Sequence, residues 1–119
     1  SQAPVNAILA FERNWQKRFT EFAPHAVAAQ KFFEDEGERI PLGRLCAQVQ
    51  AGYFITAVRA LGLDAGPITG ADFEAIAADA VLLGGQDQQP FLVVNIGYGL
   101  GPFRERGVRF SFEQTTRTV

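Results

Sequence analysis

The stretch QAGYFITAVRALGLDAGPITGAD, residues 50–72, joins the end of the longest predicted helix to a turn-rich segment. The helix is predicted over Leu42 to Leu61, because apolar residues recur there at i, i+3 and i+4. Its other faces are apolar as well, so it should be buried all round, which in a small domain indicates packing against a second subunit. Gly62 is predicted to end it as a left-handed C-cap. The repeating positions are Leu42, Leu45, Cys46, Val49, Tyr53, Ala57 and Ala60.

Turn formers fill the segment that follows this helix. Thr69 and Asp72 are three residues apart just before an apolar repeat that begins at Phe73, which predicts a capping-box-like helix start. The turn from Gly66 to Gly70 would let backbone N–H groups approach a flat or anionic ligand, helped by the helix N-terminus. A plain connection between two elements is the alternative interpretation.

The N-terminal third is predicted to hold a strand followed by helical segments. Val5 to Phe11 reads as a buried strand that follows a proline. Four aromatic residues with spacings of 4, 4 and 3 then predict one helix face, ended by Pro24. This stripe is interpreted as core, with a ligand contact as the alternative. The aromatic residues are Phe11, Trp15, Phe19 and Phe22.

Two weaker segments separate this stripe from the long helix. His25 to Phe33 is predicted to form a further helical turn or two. The acidic residues from Glu34 to Glu38, with Pro41 after them, predict a solvated loop.

The C-terminal third is predicted to hold the central strand of the sheet. Phe91 to Ile96 is a continuous, β-branched run between a loop at Gly84 to Pro90 and a glycine-rich break at Gly97 to Pro102. Val108, Phe110 and Phe112 alternate with polar residues, which predicts an extended tail. The same tail carries Arg104, Arg106 and Arg109, whose fork-shaped donors suit a phosphate group, with surface solvation as the alternative.

Composition excludes several classes of protein. The 119 residues predict one domain, 1–119, and 47% hydrophobic residues argue against disorder. A net charge of −2 argues against nucleic-acid binding, and no apolar run is long enough to cross a membrane. One cysteine favours a reducing, cytoplasmic compartment. There is no methionine, even at position 1, so we expect either trimming or upstream sequence beyond Ser1.

The residue types of common catalytic and metal sites are nearly absent. One histidine and one cysteine, without a carboxylate cluster at ligand spacing, predict no metal site. Cys46 lies on the apolar repeat of the long helix, so it is interpreted as a buried, inert thiol. No side chain is predicted to be catalytic.

Taken in order, the segments resemble the nitroreductase family, and within it the malonic-semialdehyde-reductase-like branch. The match is collinear over nearly the whole chain, and it corresponds to the C-terminal portion of that family. Residues 3–8 resemble its "APVTAI" strand, 22–25 its "LFPH", and 50–64 its "QAAYLILAARALGLD". Residues 66–72 resemble "GPMSGFD", 95–99 "NIGYG", and 106–113 "RLPRLSFEE".

This resemblance implies an α+β fold, a mixed sheet flanked by helices, in an intertwined homodimer whose main contact is the long helix. It implies FMN at the dimer interface, with NAD(P)H as co-substrate and hydride transfer to a small acceptor. Backbone groups of the flavin turn would contact the ring, and two tail arginines would bind the phosphate. The cofactor-binding residues carried over are Pro67, Ile68, Thr69, Gly70, Arg106 and Arg109.

A second hypothesis of another class stays open. The chain would then be a truncated or degenerate relative that binds a flavin, or serves as an interaction module, without turnover. Ile68 and Ala71 stand where the family pattern has methionine and phenylalanine. An aldehyde, nitro compound or quinone as acceptor, and NADH or NADPH as donor, remain alternatives at this stage.

Overall fold

The continuous apolar run near the C-terminus forms the central strand of a three-stranded sheet. Strand β3 spans Gln88–Gly97, with β1 (Val5–Glu12) and β2 (Asp64–Ile68) on its two sides. Both predicted strands are therefore confirmed, but β1 is not the buried strand that was predicted, because only Phe11 is buried in it and Val5 is exposed. Strand β2 is an addition that the turn-rich sequence concealed. The computed structural model describes residues 3–83, 87–101 and 105–119.

Helices make up most of the remaining regular structure. The described residues contain two 3₁₀ helices, Trp15–Arg18 and Pro24–Ala26, and six α-helices. One α-helix of 25 residues is much longer than the others and crosses the sheet. The α-helices are α1 (Phe19–Phe22), α2 (Val27–Phe32), α3 (Glu36–Ala60), α4 (Phe73–Ala78), α5 (Ala80–Leu83) and α6 (Phe112–Thr115).

The core lies between one face of the sheet and helix α3. Val94 is fully buried at the centre of β3, and it clusters with Leu92 on the same strand and Ala51 on the helix. Phe54 and Ile55 of α3 pack against this cluster. The α+β fold class is confirmed by this layering of helix on sheet.

Both strand pairs are antiparallel, which corrects the expectation of a mixed sheet for the described strands. Val94 pairs with Ala7 of β1 and with Pro67 of β2. The register shifts between Leu9 and Ala10, where Phe91 of β3 is left without a partner on β1, as the extra residue of a β-bulge is.

The aromatic stripe does not form one helix, as the spacing of its members had predicted. Phe11 ends up buried in β1, while Trp15 lies in the first 3₁₀ helix and Phe19 begins α1. Trp15, Phe19 and Phe33 instead pack in a cluster of tilted rings with centroids 4.8–6.0 Å apart. Phe22 is exposed. The stripe is partly core, but tertiary packing and not helical periodicity brings its members together.

The acidic segment does not form a loop over its whole length, because α3 begins at Glu36 and continues through Pro41. The Asp35 side chain caps the helix by accepting a hydrogen bond from Gly37 N at 2.7 Å. Glu36 and Glu38 lie in the first turn, where negative charge is favourable. The missing N–H of Pro41 falls opposite the exposed Gly37 carbonyl, so water can replace the lost bond.

Helix α3 confirms the strongest prediction but not its complete burial. The buried side of the helix carries Ala51 and Val58, whereas the apolar repeat predicted from sequence points to solvent. Tyr53 on that repeat is 74% exposed. Cys46 is exposed as well, so the interpretation as a buried thiol is wrong. We name this surface, made of Leu42, Leu45, Cys46, Val49 and Tyr53, the α3 stripe.

The remaining predictions are mixed. Gly62 has a positive φ of 80° and ends α3 as predicted, and helical turns follow Pro24 as predicted. Gln88 to Pro90 belong to β3 and not to a loop, while residues 84–86 lie outside the described residues. No helix among the described residues is both long and apolar enough to span a bilayer.

A buried arginine, which no sequence motif singled out, connects three segments. Arg39 is 8% exposed, and its guanidinium donates hydrogen bonds to the carbonyls of Arg13, Phe33 and Glu34 at 2.8–3.2 Å. Trp15 Nε1 in turn donates to the Arg39 carbonyl at 3.1 Å. The end of β1, the end of α2 and the start of α3 therefore share one side chain.

We expect Arg39→Met to lower the free energy of unfolding by about 2–4 kcal/mol, because partly buried carbonyls would lose charge-assisted bonds. Arg44→Met in the same helix is the matched control, since Arg44 is exposed. Its expected change is within about 0.5 kcal/mol. Urea denaturation of the full chain measures both values. Equal stability of the two variants would contradict the role given to Arg39.

Candidate functional site

The predicted flavin turn is mostly strand. Gly66, Pro67 and Ile68 belong to β2, where Ile68 pairs with Val93 of β3. Proline is tolerated there because β2 lies at the edge of the sheet, so its missing N–H interrupts no ladder on the outer side. The turn proper is shorter than predicted and begins at Thr69.

The short turn leaves backbone groups open. Pro67, Ile68, Thr69 and Gly70 are all exposed, and Ile68 keeps 38% of its surface accessible. Within the described residues, neither Thr69 N–H nor Gly70 N–H donates a hydrogen bond. A Cβ added to Gly70 would meet no atom within 4 Å. The end of β2 therefore presents two unpaired donors and an apolar side chain on an accessible surface.

Asp72 alone caps the helix that follows, which corrects the predicted capping box of Thr69 and Asp72. The Asp72 side chain accepts from Ala75 N at 3.0 Å, whereas Thr69 lies three residues further from the helix start. The N-cap of α4 is thus one residue before Phe73, and Thr69 is left free of a capping role. This cap fixes the point at which the chain leaves the turn.

The tail arginines lie in an exposed, irregular segment. Arg106 and Arg109 are both exposed, and Arg109 Nη1 donates to the carbonyls of Gly107 and Val108 at 3.0 and 3.1 Å. Arg104 lies outside the described residues. Residues 105–111 have no regular secondary structure, whereas Phe112, which the alternation had placed in the extended tail, begins helix α6.

A short capped helix follows the arginines. Ser111 and Gln114 form a reciprocal capping box at the start of α6. Backbone and Ser111 hydrogen bonds to the Glu113 carboxylate lower its pKa below the usual range. The capping box was not foreseen, although its Ser-x-x-Gln spacing could have revealed it.

Within a single copy, no contact among the described polar groups connects the two halves of the candidate site. Within the part of the chain that the structure describes, no hydrogen bond or ion pair joins Arg106 or Arg109 to residues 67–70. All residues from 105 to 119 are exposed. The radius of gyration is 17.9 Å, compared with about 13.5 Å for a compact chain of this length. The tail extends away from the body.

The segment that follows β3, residues 98–101, is held by a residue that no sequence motif had singled out. We call this segment the exit of β3. Asp64, the first residue of β2, accepts a hydrogen bond from Gly99 N at 2.7 Å and pairs with Arg59 of α3. Gly97 packs against Pro4, since an added Cβ would come within 2.7 Å of the Pro4 ring. A cleft of about 730 Å³ lies along this exit, next to Asn95, whose buried Oδ1 has no hydrogen-bond partner among the described residues. The available signal in the sequence was the position of Asp64, two residues after the C-cap glycine Gly62.

A second, more apolar cavity of about 540 Å³ lies between the aromatic segment and α3. Its walls include Phe11, Trp15, Phe19 and Phe22, together with Cys46 of the α3 stripe. Among the described residues, no group of three His, Cys, Asp or Glu side chains is placed to hold a metal ion.

Comparison of the chain with known proteins identifies its family. No family model matches the chain. A protein of Streptomyces coelicolor with the provisional name NADH dehydrogenase/NAD(P)H nitroreductase is 39% identical over 119 residues, which cover 98% of this chain and 59% of that protein. A nitroreductase family protein from Streptococcus pneumoniae superposes over all of this chain and 66% of its own, with a TM-score of 0.78 at 18% identity. The chain belongs to the nitroreductase family.

A further solved structure shares the nitroreductase fold. It is a protein of Staphylococcus epidermidis, provisionally named NAD(P)H:FMN oxidoreductase, with a TM-score of 0.71 at 17% identity over 98% of this chain. This nitroreductase-family chain spans about three fifths of the length of the Streptomyces coelicolor relative. The family assignment of the resemblance is thus confirmed, whereas the site residues stay predictions.

We expect Asp72→Ala to lower the free energy of unfolding of the chain by about 1 kcal/mol, because α4 would lose its N-cap. Thr69→Ala should change stability by less than about 0.5 kcal/mol, since Thr69 caps nothing. Thermal unfolding of both variants gives the comparison. The corrected cap assignment would be refuted by a larger loss in Thr69→Ala than in Asp72→Ala.

Proposed function

We propose that the protein is an FMN-dependent NAD(P)H oxidoreductase that reduces a small acceptor, such as an aldehyde, a nitro compound or a quinone. FMN, when bound, takes hydride from NAD(P)H and delivers it to the acceptor in the same site. The observation that carries the proposal is the pair of unpaired N–H groups of Thr69 and Gly70 at the accessible end of β2. The names of the Streptomyces coelicolor and Staphylococcus epidermidis proteins support it.

The turn suits a flavin ring for two physical reasons. Ring nitrogens and carbonyls of a flavin accept hydrogen bonds, which Thr69 and Gly70 could donate from the backbone. The exposed Ile68 side chain and the Pro67 ring offer apolar surface against which a flat ring can pack. In this arrangement the protein orients the ring and excludes water from one side of it, and no side chain needs to act as a nucleophile.

Arg106 and Arg109 are proposed to bind the FMN phosphate. A guanidinium remains charged at any physiological pH and can donate two parallel hydrogen bonds to phosphate oxygens. Both side chains are exposed, and neither forms an ion pair with a described carboxylate. Their positive charge is therefore not neutralised by a described partner.

A homodimer is proposed as the active form. The α3 stripe exposes apolar side chains at positions 45, 49 and 53, one above the other on the helix. The tail adds Val108 at 97% and Phe110 at 80% exposure. A second copy would cover apolar surface of this kind, and the tail of one copy could then complete the flavin site of the other.

The lone cysteine is consistent with a reducing cytoplasm as the location.

The second candidate is a flavin-binding or interaction module without turnover. The lack of any hydrogen bond or ion pair between the two arginines and residues 67–70 among the described residues favours it, because two unconnected halves would hold the cofactor weakly. Turnover distinguishes the two candidates.

The test is consumption of NADH and NADPH by the purified full chain with FMN, offered in turn with a quinone, a nitroaromatic compound and an aldehyde. We expect acceptor-dependent oxidation of one nucleotide. Arg106→Gln and Arg109→Gln should each weaken FMN binding about tenfold, because each removes a charge-assisted contact to phosphate.

Arg117→Gln is the matched control, since Arg117 is an exposed arginine of the same tail beyond α6. It should leave FMN affinity unchanged. FMN binding without nucleotide oxidation for any acceptor would favour the module without turnover. Equal FMN affinity in all three variants would refute the assignment of the phosphate site.

A further inference from the structure

The carboxylate of Asp64 extends the pairing of β2 and β3 beyond the end of the sheet. Asp64 is the first residue of β2, and its backbone is opposite Gly97, the last residue of β3. Its Oδ2 accepts the N–H of Gly99 at 2.7 Å, two residues after the strand ends. The side chain therefore holds a segment of backbone that no strand partner holds.

The contact requires a glycine at position 99. A Cβ added there would collide with Asp64 Oδ2, so a larger residue would push the carboxylate and the segment apart. Gly101, two residues later, has a φ of 105°, a left-handed conformation that favours glycine and turns the chain. Arg106 and Arg109 follow within the next eight residues.

Arg59 holds the Asp64 carboxylate from the other side. It pairs with Asp64 Oδ1 and donates to the Leu63 carbonyl at 3.0 Å from the last turn of α3. Both side chains of the ion pair are 56% exposed. An ion pair with this exposure contributes little to the free energy of folding, so stability alone does not account for it.

We propose that Asp64 is a positioning residue, which fixes the exit of β3 so that the arginine tail leaves the sheet toward the FMN phosphate. The inference rests on the proposed function. In the proposed dimer, Asp64 of one copy positions the tail whose arginines bind the phosphate, while residues 67–70 of the other copy face the ring.

The test compares FMN with riboflavin, which has the same ring but no phosphate. Dissociation constants of both are measured by flavin fluorescence on the full chain and on Asp64→Asn, which keeps the shape and removes the charge. We expect FMN to bind about three- to tenfold more weakly to the variant, while riboflavin affinity is unchanged. Glu21→Gln is the matched control, because it breaks the similarly exposed ion pair with Arg18 away from this exit.

Each other outcome has a distinct meaning. If the wild-type chain prefers FMN and Asp64→Asn keeps the same preference, the inference is wrong and the proposed function stands. An equal loss for both ligands makes Asp64 merely structural and also overturns the inference. If the wild-type chain binds neither ligand, the proposed function fails first. Gly99→Ala gives the same comparison if Asp64→Asn does not fold, and it should show the same selective loss of FMN.

Discussion

The structure depends on the packing of strand β3 against helix α3. Val94 has no exposed surface, and with Leu92 it meets Ala51 across the only sheet face that a long helix covers within the described residues. A small residue at position 51 lets the helix approach the sheet closely. That single layer buries few side chains, and many large apolar side chains of the described residues stay exposed.

This constraint connects the fold to the proposed function. One side of α3 is used by the sheet, so the α3 stripe on the opposite side is free for a second copy. The same geometry fixes both ends of β2, since its pairing with β3 places residues 67–70 at one end and Asp64 with Gly99 at the other. The flavin site that we propose would consist of backbone donors and guanidinium groups on an accessible sheet edge, without a reactive side chain.

Much of the fold could be predicted from sequence where one local signal dominated. The β-branched run at 91–96 and the apolar repeat at 42–61 gave the central strand and the long helix. Prediction failed where tertiary contacts overrode a local signal: Pro41 lies inside a helix, and Pro67 lies in an edge strand. Candidate site residues came from family resemblance, whereas Asp64 and Arg39 became visible only through the atoms that they contact.

The central claim is that two copies of this chain form one flavin-binding unit. Native mass spectrometry of the full chain, purified with FMN present, measures subunits and bound flavins together. The account predicts a dimer with two FMN molecules. Val49→Glu, which places a charge in the α3 stripe, should convert the dimer to monomers that have lost FMN. A monomer that retains FMN, or a dimer that binds none, would contradict it.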